Sequence, residues 1–107
     1  MTSTQEHTYI PHTGIVLVDV YHYSENIKED EDTLDASEYT VEHFNVAEHH
    51  IDSINTASST VTLSLFLESD IPYSDINEFI ENLNISYKGD SNNIHLSPNP
   101  FNEPCPI

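Results

Sequence analysis

The sequence predicts an α+β domain, a small antiparallel sheet of three to four strands with two short helices packed on one face. Three observations lead there. Short segments rich in β-branched and aromatic residues alternate apolar and polar positions, as half-buried strands do. Two other segments repeat their apolar residues at i, i+3, i+4 and i+7, the spacing of one helical face. Their order along the chain, β, β, α, β, α, β, suits helices segregated to one side of an antiparallel sheet. The 107 residues leave room for one such domain, taken as 13–97, between a polar arm at 1–12 and an extended tail at 98–107 that carries four prolines.

The first strand is Gly14-Ile-Val-Leu-Val-Asp-Val-Tyr-His-Tyr23, whose apolar start followed by alternation suits burial on both faces and then on one. Residues 24–37 contain six acids against Lys28 and read as an acidic loop. Glu38 to Phe44 alternates again, with Tyr39 and Val41 on one face and Thr40 and Glu42 on the other. Asn45, followed three positions later by Glu48, resembles a capping box, and Ala47, His50, Ile51 and Ile54 then fall at helical spacing. A helix over 46–55 follows, with a strand continuing through Val46 as the alternative. Beyond a turn at 56–59, Val61, Leu63, Leu65 and Leu67 mark a half-buried strand. Pro72 closes the next turn, and Ser74 is placed to cap a helix with Ile76, Phe79, Ile80 and Leu83 on its buried face. Asp75 and Glu78 suit the positive N-terminal end of that helix. Asn93 to Leu96 forms a last short strand after the Gly89-Asp90 break.

Charge is the most informative property of the chain. An ordinary domain of this length carries about 13 basic residues. Here Lys28 and Lys88 stand alone, there is no Arg, and 19 acids give a net charge of -17. Such self-repulsion opposes compaction. A basic partner, adaptation to high salt and selection for solubility would each account for it. The seven histidines gain charge as pH falls through about 6.5 and so relieve the repulsion.

Specific chemistry finds little support. The run Glu29-Asp-Glu-Asp-Thr-Leu-Asp35 offers oxygen ligands but lacks the Gly and Glu positions of a calcium loop. His43, His49 and His50, beside Glu42 and Glu48, lack the i, i+4 pairing of a zinc-binding helix. There is no nucleophile elbow, and two glycines leave no phosphate cradle. The expectation is therefore a protein with no catalytic role, no metal and no cofactor. Direct contact with nucleic acid is disfavoured, because phosphates are bound by the Lys and Arg that this chain lacks. The start of the chain shows no signal peptide, and the longest apolar run, Ile15 to Val18, is too short for a membrane span. With a single cysteine, Cys105, these features predict a cytoplasmic protein, or host cytoplasm for a viral one.

What remains is an acidic surface acting through its field. Duplex DNA carries one charge per roughly 1.7 Å of axis, so a protein lined with carboxylates can occupy a groove made for that polyanion. Phage-encoded DNA-mimic inhibitors of restriction or CRISPR enzymes work in this way. The acids expected to form such a surface are Glu25, Glu29, Asp30, Glu31, Asp32, Asp35, Glu38, Glu42, Glu48, Asp75, Glu78 and Glu81. The partner would be a Lys/Arg-rich protein, a nucleic-acid-binding protein or a nuclease complex. The alternative is a general interaction module, such as a toxin-immunity protein or virion component, in which apolar contacts choose the partner and charge speeds encounter.

Overall fold

The computed structural model describes residues 11–23 and 35–102. Six strands and one α-helix run in the order β1 (His12–His22), β2 (Tyr39–Glu42), β3 (Val46–Asn55), β4 (Thr60–Pro72), α1 (Ile76–Glu81), β5 (Asn84–Tyr87) and β6 (Ile94–Pro98). A four-stranded antiparallel sheet takes the order β3-β4-β1-β6, and β2 pairs with β5 in a separate two-stranded sheet. The large sheet is one layer; α1 and the small sheet cover one of its faces.

The period of two along the central strands builds the core. Val16, Val18 and Val20 of β1 and Val61, Leu63 and Leu65 of β4 are fully buried. In register, Val18 lies opposite Leu63 and Val20 opposite Val61, so their side chains form one apolar sheet face. Ile76, Phe79 and Ile80 of α1, with Leu83 just beyond it, pack onto that face, and Tyr39, Ile85 and Tyr87 bring in the small sheet. His22 ends β1 inside this core. Its Nε2 lies 2.7 Å from the Tyr39 hydroxyl and its ring meets that of Tyr87 edge-on at 4.7 Å.

The α+β class and the antiparallel sheet stand, but the described residues hold one α-helix rather than two. Val46–Asn55 is a strand, not a helix. Its register with β4 shifts between Val46 and Glu48 and again between Ile51 and Ser53. Each bulge inserts a residue, which stretches the inward spacing from two to three. Val46, His49, Ile51 and Ile54 thus share the core side at intervals of three, two and three; of the four residues at helical spacing only Ile51 and Ile54 are among them, while Ala47 and His50 are exposed. Asn45 caps no helix. Its side chain accepts from the Ser69 amide (2.9 Å) and donates to the Ser69 carbonyl (3.0 Å), so the amide group serves as one more residue of the β3–β4 ladder.

The helix after Pro72 is real but shorter than its apolar pattern, six residues preceded by a 3-10 turn over Tyr73–Asp75. Ser74 lies inside that turn, and neither it nor Asp75 caps α1 through its side chain. Strand β5 follows almost without a turn and is absent from the sequence expectation. Three strands are also longer than expected, since β1 begins at His12, β4 runs to Pro72 and β6 includes Pro98, whereas β2 is confined to Tyr39–Glu42. Among the described residues no helix is long and apolar enough to cross a membrane.

Candidate functional site

Of the acids expected to form a binding surface, Glu25, Glu29, Asp30, Glu31 and Asp32 lie outside the described residues. The others do not form one patch. Asp75, Glu78 and Glu81 are exposed on the 3-10 turn and α1, and Glu42 is exposed on β2. Both elements belong to the layer that covers the large sheet. Glu48 pairs with Phe66 and so stands on the opposite face, which no described helix or second sheet covers, and where His50 approaches it at 3.6 Å. Asp35 accepts from the Ser37 amide at 3.1 Å and caps a 3-10 turn over Ala36–Glu38. Glu38 is half-buried. Its Oε2 lies 4.0 Å from Lys88 Nζ, and its Oε1 is buried without a hydrogen bond.

Lys88, itself exposed, lies 4.0 Å from Glu38 and over the Tyr87 ring at 5.2 Å. Among the described residues, therefore, the carboxylates of Glu42, Asp75, Glu78 and Glu81 have no cation within ion-pair reach. The histidines weighed as metal ligands diverge. His49 Nε2 donates toward the Ala36 and Tyr39 carbonyls at 3.0 and 2.9 Å on the core side, His50 faces outward, and the His43 ring lies 4.7 Å from Phe44 and 4.5 Å from Phe79. Among the described residues no group of three or more His, Cys, Asp or Glu gathers as metal ligands.

Two clefts flank the acidic layer. One, of about 200 Å³, opens over the small sheet between Glu42, Thr40, Asn84 and Ser86. The larger, of about 520 Å³, runs between α1 and β6, with Ile80, Leu83 and Leu96 supplying apolar wall and Asn77 and Glu81 the polar rim.

The uncovered sheet face holds groups that the charge reading passed over. Alternation places Ile15, Leu17, Asp19 and Tyr21 of β1 there, opposite Phe66, Ser64, Thr62 and Thr60 of β4. Asp19 Oδ1 accepts from the Thr62 hydroxyl at 2.7 Å and from the Asn99 amide at 2.8 Å, which holds one carboxylate rigid in mid-sheet. Beside it Tyr21 and Tyr23 meet edge-on at 5.1 Å, and Tyr23 lies 6.3 Å from His95. Alternation in the sequence puts Asp19 and Tyr21 on one face of the strand, but not the distant partners that hold Asp19.

The chain matches no family model, and no curated protein or solved structure is measurably similar to it.

Proposed function

We propose that the chain is a non-enzymatic inhibitor that docks its acidic layer on a basic, nucleic-acid-binding surface of another protein, in the manner of a DNA mimic such as an anti-restriction or anti-CRISPR protein. One observation carries the reading: exposed Glu42, Asp75, Glu78 and Glu81 have no cationic neighbour among the described residues, while Lys88 lies beside Glu38 and Tyr87. Carboxylates left uncompensated in this way raise the local concentration of a basic partner and speed its approach. The segment Glu29-Asp-Glu-Asp32 adds to the same field.

The test compares two charge-reversed chains, Asp75→Lys/Glu78→Lys/Glu81→Lys and Glu29→Lys/Asp30→Lys/Glu31→Lys/Asp32→Lys, for capture of Lys/Arg-rich proteins from a prokaryotic lysate at low salt. Each should lose most of the capture seen with the native chain. Undiminished capture by both contradicts the reading.

A second reading, a general interaction module such as an immunity protein or virion component, is favoured by exposed apolar groups. Phe44 is 93% exposed, Phe101 82% and Ile15 47%. Binding through these would persist at high salt, where charge-driven binding fails.

A further inference from the structure

The two edges of the large sheet are built differently. Strand β3 carries two bulges and presents Glu48, His50 and Asp52, which are devices that discourage a further strand from pairing. Strand β6 has no bulge and no Asp, Glu, Lys or Arg in Ile94-His-Leu-Ser-Pro98.

The free groups of β6 follow from its pairing. Tyr23 N donates to Asn93 O at 2.9 Å and Asn99 N donates to Leu17 O at 3.3 Å. Antiparallel alternation between these bonds turns the amides and carbonyls of His95 and Ser97 toward β1. Those of Ile94 and Leu96 point away from it, and Pro98 adds a carbonyl alone. The 520 Å³ cleft lies along this edge: Leu96, from the core side of the sheet, and His95 and Ser97, from the uncovered side, all line it. Residues of both parities share one groove only where the groove faces the strand's edge rather than its side-chain face.

We propose that this groove receives an extended segment of the partner, alternately basic and apolar, which adds to β6 as a fifth strand. The chemistry of the segment rests on the basic-partner reading; its mode of binding rests on the edge geometry. Lysine stems would lie along Ile80 and Leu83 with the ammonium at Glu81, and the alternate apolar side chains would fall on the other side, toward the Tyr23 ring. A second copy of the chain is disfavoured as occupant, because it would bring another -17 charges to the same edge.

The probe is the capped heptapeptide Lys-Val-Lys-Val-Lys-Val-Lys added to the full chain labelled with nitrogen-15. Amide exchange at Ile94 and Leu96 should slow at least tenfold at saturation. Of two peptides N-methylated at alternate residues, odd or even, one should bind at least tenfold more weakly, and Glu81→Lys should weaken the parent peptide by a similar factor. If both methylated peptides bind as well as the parent and perturb only the exposed acids, strand addition is overturned while charge-driven binding survives. If the neutral analogue with Thr for Lys protects Leu96 equally, the edge accepts strands but the basic chemistry is wrong. Protection of Ile94 and Leu96 in the peptide-free chain also overturns the proposal, because the edge is then covered by the chain itself or, where protection grows with concentration, by a second copy.

Discussion

Replacing Glu81 with Lys separates the part of the acidic surface that serves the fold from the part that serves binding. Glu81 is exposed, ends α1, and shares the last turn with no basic residue. The C-terminal end of a helix carries about half a negative charge, so a carboxylate there is unfavourable and an ammonium favourable, each by about 0.3–1 kcal/mol at an exposed site. With only six helical residues the lower end of that range applies to each of the two terms, and the reversal should stabilise the domain by about 0.6 kcal/mol. Relief of the -17 net charge acts with the same sign. Stabilisation of that size raises Tm by about 2–5 °C in a domain near this length. Urea titration at low salt should show a higher midpoint with an unchanged slope, and about 1 M salt, where the screening length is roughly 3 Å, should remove most of the gain. Affinity for a basic partner should fall in the same variant. A loss of stability at low salt, or a gain indifferent to salt, would refute the electrostatic argument and show that Glu81 is held by a contact.

Three further outcomes follow from the core and its rim. Asn45→Ala removes both side-chain bonds to Ser69 at a buried position and should cost about 1–3 kcal/mol in urea unfolding. His22→Phe and Tyr39→Phe should couple in a double-mutant cycle by about 0.5–3 kcal/mol, since the two side chains meet at 2.7 Å inside the core. Leu63→Ala, at a site with no exposure on β4 between β1 and β3, should cost about 3–5 kcal/mol and shift the thermal midpoint accordingly.

The central strands were legible because burial on one face imposes a period of two, and Val61, Leu63 and Leu65 display it without interruption. The buried face of α1 was legible for the same kind of reason, since Ile76, Phe79, Ile80 and Leu83 all reach the core. Strand β3 was not, because two bulges break its period of two and leave Ile51 and Ile54 three residues apart, a spacing that a helix shares. Asn45 shows a related ambiguity: a short amide bonds a helix end or a strand end equally well, and only the neighbour, here Ser69, decides. Strand β5 is four residues long and joins α1 almost directly, so no turn signal announced it. For the binding surface, charge identified Glu42, Asp75, Glu78 and Glu81 as exposed acids, but it could not divide them from Glu48, which register places on the far face. The Asp19 network needed partners 43 and 80 residues away in sequence, beyond the reach of any local pattern.

The most direct test of the acidic-docking claim is competition by duplex DNA. The immobilised chain is loaded with partner from a prokaryotic lysate at low salt, and duplex DNA is then titrated in while ionic strength is held constant. The account predicts that DNA releases a specific nucleic-acid-binding protein, because both polyanions occupy one basic surface. A specifically bound partner that saturating DNA leaves in place would contradict it.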